Sequence, residues 1–230
     1  MFKILRHLLP EFVYRHLHFK GKFKVKIKKN HFYIHHFGYL CENELFWRGL
    51  SKEMKVWAEM CQEADVILDI GANTGIFSLI AKAVNPKASV YAFEPVPRVI
   101  KKLRANCMLN NFNIQCLEVA VSDYDGVGEF YEEPLEHLYS ATLAPHNSLK
   151  NSMKTEVRVT RLDSFIEKEK IRPDLIKIDV EGCEFKVLEG MGKSLRPKIL
   201  LENHSNISLG DDWQSIDNKG HYIKNWKIQS

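Results

Sequence analysis

The sequence predicts an α/β protein: a doubly wound, mostly parallel sheet of Rossmann-like type, with an N-terminal helix and β-hairpin extension. Three observations carry this. Val66 to Ile70 reads as a buried strand, Gly71 to Gly75 as a small-residue turn, and Phe77, Leu79, Ile80, Ala83 and Val84 as the buried stripe of a helix. A second apolar strand, Ser89 to Phe93, ends in Glu94-Pro95. A third, Asp174 to Ile178, ends in the acidic loop Asp179-Val180-Glu181-Gly182, with helical spacing after it at Phe185, Val187 and Leu188. Strands alternating with helical stripes imply right-handed βαβ units and a parallel sheet.

Residues 1–62 read as the extension and residues 63–230 as the main domain. Phe2 to Leu17 spaces Ile4, Leu5, Leu8, Leu9, Phe12, Val13 and Leu17 along one face of an amphipathic helix, which Pro10 interrupts. The preferred reading is a helix packed on the body or on a second subunit. The alternative is weak contact with a membrane surface through residues 1–29. Lys22 to Lys28 alternates polar and apolar residues, a half-buried strand with a lysine face, and Phe32 to His36 returns beside it after a turn at Asn30. Lysines there guard an exposed edge or attract an anionic ligand. His35 and His36 point to opposite faces, so no metal site is expected. Phe46, Trp47 and Leu50 precede a helix capped by Ser51, whose buried face holds Met54, Val56, Trp57, Met60 and Cys61.

Beyond Glu94, Pro97 to Asn110 is a helix burying Val99, Ile100, Leu103 and Cys107, and Ile114 to Val119 is a strand. More than fifty residues then precede the acidic strand end. A plain crossover needs far fewer, so the surplus is read as a lid or substrate-facing wall. Tyr139, Ser140, Thr142 and His146 are its candidate substrate contacts. The last strand, Lys198 to Leu201, leads to Glu202-Asn203-His204, and the tail from Ser205 to Ser230 is short for a further helix and an antiparallel strand pair. Ligands of open α/β sheets bind at the carboxyl ends of strands, which puts Asp69, Glu94, Asp179 and His204 on one rim.

The turn departs from the dinucleotide pattern. Asn73 stands where a second glycine would let a pyrophosphate approach the backbone. S-adenosyl-L-methionine has no phosphate, so this requirement lapses. Asp69 suits the ammonium of its amino-acid tail, and N–H groups of the turn residues Gly71, Ala72, Asn73, Thr74 and Gly75 suit the tail's carboxylate. Glu94, which Pro95 follows, lies 23 positions beyond Gly71. An acid at about 20 positions is where ribose hydroxyls are gripped.

DIGANTG (Asp69 to Gly75), FEP (Phe93 to Pro95), AVSD (Ala120 to Asp123), LDSF (Leu162 to Phe165) and LIKIDVEG (Leu175 to Gly182), in this order, resemble the FkbM-type methyltransferases. The resemblance runs from about Val66 to His204. It implies a class I S-adenosylmethionine-dependent methyltransferase, usually acting on a hydroxyl. By the same resemblance Asp69, Gly71, Asn73 and Gly75 contact the cofactor tail and Glu94 holds the ribose. Val119, Ala120, Val121, Ser122 and Asp123 border the adenine, and Asp179 faces the transferable methyl. A sugar or glycan hydroxyl, or a natural-product alcohol, is the expected acceptor. His204 is the first candidate for the general base because an unperturbed imidazole titrates near neutrality; Asp179 and Glu181 are alternatives. Equally, His204 can be a strand-end histidine satisfied by backbone, and Glu181 can serve the following helix.

Composition sets the remaining bounds. With 230 residues, 45% of them hydrophobic, the chain can bury one sizeable core. Residues 1–55 carry twelve Lys/Arg against four Asp/Glu, a net +8, so the rest carries −4 in a chain of net charge +4. That basic arm raises an RNA or other nucleic-acid methyltransferase as an alternative. The loop Asp179-Val180-Glu181-Gly182 lacks the Pro-Pro-aromatic form of amino-directed base enzymes and argues against it. A non-catalytic platform on the same fold is the other alternative. Five cysteines without C-x-x-C spacing read as small buried hydrophobes in a reducing compartment. No apolar run is long enough to span a membrane, and no signal peptide is evident. The expected location is cytoplasmic, with a peripheral position at the inner membrane face as the alternative.

Overall fold

The structure is a computed structural model and describes residue 17 and residues 21–132, 141–142, 153–192, 194–204 and 208–225. The amphipathic helix expected over Phe2 to Leu17 lies outside these residues, apart from Leu17.

Strands β1 (Gly21–Ile27) and β2 (Asn30–His36) form the expected antiparallel hairpin. Strict alternation sends Val25, Ile27, Phe32 and Ile34 inward, while Lys22, Lys24 and Lys26 stay exposed. The turn falls at Lys28-Lys29 rather than at Asn30, which already pairs with Ile27. Helix α1 (Leu40–Arg48) takes up Phe46 and Trp47, which the sequence places ahead of a helix. Its buried residues are Glu42, Asn43 and Leu45, so no broad apolar stripe announces it. Helix α2 (Lys52–Met60) buries Met54, Val56, Trp57, Ala58 and Met60 as expected. Ser51 occupies its N-cap, but the hydroxyl donates to the Glu53 carboxylate and accepts no backbone N–H.

The main chain of βα units follows: β3 (Val66–Ile70), α3 (Ile76–Val84), β4 (Ser89–Phe93), α4 (Pro97–Leu109) and β5 (Gln115–Leu117). Strand β5 is shorter than the expected Ile114–Val119, because the chain leaves for a second sheet. That sheet holds β6 (Ala120–Ser122), β7 (Gly126–Glu132), β8 (Ala141–Thr142) and β9 (Met153–Arg161), in the order β6-β9-β7-β8. The surplus segment read as a lid is therefore sheet over much of its length. Tyr139, Ser140 and His146 lie outside the described residues, and Thr142 is placed in β8 by its backbone alone.

Helix α5 (Leu162–Glu169) returns the chain to β10 (Leu175–Ile178), α6 (Glu184–Gly190) and β11 (Lys198–Glu202). The tail then supplies β12 (Trp213–Ser215) and β13 (His221–Lys224), which pair antiparallel with each other, β13 also pairing antiparallel with β11. The strand pair that seemed too long for this tail is thus present, because two very short strands suffice at a sheet edge. The seven-stranded order is β12-β13-β11-β10-β3-β4-β5.

Side-chain alternation builds two cores from the same strands. Ile67, Val90, Ala92, Leu175 and Leu200 face α2, α3 and the hairpin. Leu68, Ile70, Phe93, Ile176, Ile178 and Leu201 face α5 and α6. Strand order reverses between β3 and β10, so the carboxyl ends of β3, β4 and β10 open a crevice there. Gly71 lets these ends close up. It stands at φ 77, and a Cβ there would meet the Asp179 carbonyl oxygen at 1.7 Å. Gly71→Ala is expected to lower stability by about 3 kcal/mol or more. Urea unfolding checks this, and a midpoint unchanged from the wild type would show that β3 and β10 tolerate separation.

Candidate active site

The turn after β3 owes its shape to two residues at positive φ besides its terminal glycine: Gly71 at 77° and Asn73 at 50°. Asparagine is one of the few side-chain-bearing residues that tolerate this region, which explains how Asn73 replaces a glycine. The turn is tied to β4. Gly71 N–H and Ala72 N–H donate to the Phe93 carbonyl at 3.1 and 2.9 Å, and Gly75 N–H donates to the Ala72 carbonyl at 2.8 Å. Asn73 N–H donates to Glu94 Oε2 at 3.0 Å, and Val96 N–H donates to Glu94 Oε1 at 3.0 Å. Of the five turn N–H groups expected to suit a carboxylate, those of Gly71, Ala72, Asn73 and Gly75 are thus engaged within the fold.

The crevice encloses about 600 Å³, counted out to its open mouth. Ile70, Gly71 and Asn73 form its floor, with Phe93, Glu94 and Pro95 beside them. Val119, Ala120, Val121 and Phe130 form an apolar wall, and Asp179, Val180, Glu181 and Cys183 form the opposite lip. Phe130, on β7, was missed as a site residue; its only signal is one large apolar residue in the strand-like run Gly128 to Tyr131. Ala72, Thr74 and Gly75 support the floor from behind rather than lining it. Asp123 also stands off the wall, where it accepts the Ser122 hydroxyl at 2.9 Å.

Asp69 does not reach the crevice wall. It is fully buried, accepts the Ser78 hydroxyl at 2.6 Å and lies beside Lys177, with Nζ 3.8 Å from Oδ1. Lys177 is the residue the sequence reading passed over. It sits opposite Asp69 in the parallel register of β3 and β10, donates to Asp179 Oδ2 at 2.9 Å and covers the Phe77 ring at 4.6 Å. Burial works against its charge, but Asp179 and Asp69 outweigh burial and hold its pKa above the ordinary lysine value. A lysine inside the apolar run Leu175 to Ile178 was the available signal, since a buried charge demands a partner.

His204 is held by carboxylates from three elements. Its Nδ1 lies 3.3 Å from Glu184 Oε1 and 3.8 Å from Asp179 Oδ1, and its Nε2 lies 3.3 Å from Glu202 Oε1 and 3.7 Å from Glu181 Oε2. Hydrogen bonds to Glu184 and Glu202 raise its pKa to about 11. At neutral pH it is an imidazolium and has no lone pair with which to take a proton, so its choice as first candidate base is corrected. Burial pushes Asp179 above the usual carboxylate range, with the charge of Lys177 only partly offsetting it. Burial, then the neighbouring Asp179, raises Glu181 to about 7. Ligand atoms of Asp179, Glu181 and His204 lie within 4.8 Å of one another, but a cation there would first have to displace the His204 proton.

The residues fit a small polar ligand with an apolar ring. Among the described residues, the buried side-chain atoms without a hydrogen bond of good geometry are Glu42 Oε1, Asp69 Oδ1, Asn73 Oδ1 and Thr74 Oγ1, three of them in or beside the glycine turn. Of these, Asn73 lines the crevice, and its Oδ1 is an acceptor left over for a ligand that brings a donor. Glu94, only 4% exposed, stands at the strand end where a ribose diol is held. Glu94→Gln is expected to weaken S-adenosylhomocysteine binding by about tenfold or more, read by calorimetry. Undiminished heat and affinity would place the ribose elsewhere.

The chain is 29% identical over 168 residues to the hexuronic acid methyltransferase AglP of Haloferax volcanii, covering 71% of this chain and 66% of that protein. It is 31% identical to the 31-O-demethyl-FK506 methyltransferase FkbM of Streptomyces tacrolimicus, over 59% of this chain and 62% of the relative. It is likewise 31% identical to the 2-O-methyltransferase NoeI of Sinorhizobium fredii, over 63% and 65%. These matches thus span a little under two thirds of each relative. Among solved structures, the T. thermophilus 16S rRNA N2 G1207 methyltransferase, in complex with AdoMet and guanosine, superposes with a TM-score of 0.50 at 15% identity, covering 88% of this chain and 49% of that one. It shows the class I methyltransferase fold and nothing finer. The family model of the methyltransferase FkbM domain matches residues 69–222. The chain belongs to the FkbM methyltransferase family, whose cofactor is S-adenosylmethionine.

Proposed function

We propose that this chain methylates a hydroxyl group of a sugar, a glycan or another small natural-product acceptor. The observation that carries the reading is Glu181: a crevice-lining carboxylate whose pKa stands at about 7, on the lip facing the apolar wall. A hydroxyl nucleophile must lose its proton as it attacks, and a base is most effective when its pKa lies near the working pH. The relatives named above act, by their names, on a hexuronic acid, on a 31-O position and on a 2-O position, which supports oxygen as the acceptor atom.

S-adenosylmethionine, when bound, supplies the methyl group and leaves as a neutral thioether. The protein's own residues do the rest. Glu94 and the wall of Val119, Val121 and Phe130 fix the nucleoside end. Glu181 receives the hydroxyl proton on its carboxylate. Asp179, held by Lys177, stands beside Glu181 and orients the acceptor. His204 stays protonated and lowers the pKa of Glu181 by its charge. Glu181 projects from a residue at φ 52, a left-handed conformation that a non-glycine residue adopts only under local constraint. The same constraint aims it at the crevice.

Because Glu181 must be ionised to act, the rate is expected to rise with pH through about 7 and then level off. Glu181→Gln is expected to lower kcat by roughly a hundredfold or more and to abolish that limb, with cofactor affinity retained. His204→Gln removes a positive charge that favours the ionised Glu181, so it is expected to move the limb to higher pH. Transfer of labelled methyl to a panel of sugars and alcohols provides the assay. An E181Q profile that keeps its limb assigns the base elsewhere; labelling confined to nitrogen or carbon acceptors sinks the reading itself.

A further inference from the structure

We propose that the outer face of the β1–β2 hairpin, together with the exposed side of α4, docks the chain on an anionic lipid bilayer. The register places Lys22 opposite His35, Lys24 opposite Tyr33 and Lys26 opposite His31, so these six residues share the outward face. The hairpin from Gly21 to His36 carries five lysines and no acid. Helix α4 carries Arg98, Lys101, Lys102 and Arg104 and no acid. The two elements are joined edge to face. Asn110 Oδ1 accepts the Tyr33 N–H and its Nδ2 donates to the Tyr33 carbonyl, both at 2.6 Å, and Asn106 Oδ1 accepts the His35 N–H at 2.9 Å. The two cationic elements are therefore immediate neighbours on the surface. Some have partners: Lys28 pairs with Glu59 at 3.5 Å and Arg104 with Glu118 at 3.7 Å. Lys22, Lys26, Lys29 and Lys101 have no acidic partner among the described residues.

Lysines on β1 would by themselves be explained as guards of an edge strand. That does not explain α4, which is a helix and needs no guard. Nor does it explain the apolar side chains set among the charges. Met108 is 81% exposed at the end of the Lys101-Arg104 stripe, and Tyr33 is 38% exposed between the lysines. Cations interleaved with exposed apolar and aromatic groups match a bilayer interface, where charges meet headgroups and the apolar tips enter the acyl boundary. The first twenty residues continue the pattern in sequence, with Lys3, Arg6, Arg15 and Lys20 among Ile4, Leu5, Leu8, Leu9, Phe12 and Val13. RNA fits less well. Its bases would have to reach a crevice whose lip carries Asp179 and Glu181, with Glu202 and Glu184 behind them. The proposal is independent of the acceptor, so it stands or falls apart from the methyl-transfer reading.

Sedimentation of the full chain with vesicles tests it. Vesicles with about one third phosphatidylglycerol in phosphatidylcholine are expected to carry the protein down at about 0.1 M salt, and pure phosphatidylcholine vesicles are not. The variant K22E/K24E/K26E/K101E is expected to bind at least about tenfold more weakly, with cofactor binding unchanged. Met108→Ser is expected to weaken vesicle binding several-fold while leaving retention on heparin, a soluble polyanion, as it was. Equal binding to neutral vesicles, no binding to anionic ones, or an unaffected charge-reversal variant overturns the proposal. So does displacement from anionic vesicles by substoichiometric single-stranded RNA, which would make nucleic acid the occupant.

Discussion

Lys177 is the constraint on which the crevice depends. Its ammonium lies between Asp69 at the end of β3 and Asp179 just past β10, and it is almost wholly buried. Two carboxylates and one ammonium in a low-dielectric interior are tolerable only if each charge keeps its partner. The trio therefore ties the carboxyl ends of β3 and β10 together through their side chains, in addition to the backbone ladder that sets the strand spacing. Gly71 completes the arrangement, because no side chain separates the turn from the Asp179 carbonyl. The strand ends that line the crevice are held first by each other.

This geometry sets the chemistry of the lip. Asp179, Glu181, Glu184 and Glu202 all approach His204 within 4 Å, and they come from the β10 loop, α6 and β11. Glu202 is drawn well below the usual carboxylate range, because hydrogen bonds from His204 and His221 outweigh its burial. His221 in turn is raised to about 9, its contacts with Glu202 overcoming burial. Protons thus settle on the two histidines and leave Glu202 ionised. Glu181, farther from His204 and facing the crevice, is the group left to titrate near neutrality. On this rim the imidazole is the counter-ion, and the base proposed above is a carboxylate.

What the sequence disclosed follows the range of the interactions involved. The β3 strand, its turn and α3 were legible because apolar periodicity and turn glycines are local signals, and Glu94 was legible because its spacing from Gly71 is set by one βαβ unit. Helix α1 was not, since its buried face includes Glu42 and Asn43, polar residues whose partners lie outside the helix, at the end of β2 and just after it. His36 Nε2 stands 3.3 Å from Asn43 Oδ1, and the Phe37 N–H donates to Glu42 at 2.6 Å. The titration of His204 was misjudged for the same reason. Its reference pKa is a property of the residue, whereas Glu184 lies 20 positions away and reaches it only through the packing of α6 beside β11. Lys177 shows the converse: its signal was local, a charge in an apolar strand, and its partner on β3 could be named from the parallel register once the sheet order was known.

Helix α4 ties these parts into one body. Its first residues follow Glu94, and Val96 and Val99 pack with Ala120, Phe130, Val157 and Val159 into the small core under the second sheet. That core carries the apolar wall of the crevice. At the other end of the helix, Asn106 Nδ2 donates to the Thr74 carbonyl at 2.8 Å, while Asn106 and Asn110 hold the free edge of β2. One helix thus touches the glycine turn, the crevice wall and the basic hairpin. Asn106 and Asn110 join the β1–β2 extension to the helix that follows Glu94, although the family's matched region begins only at Asp69.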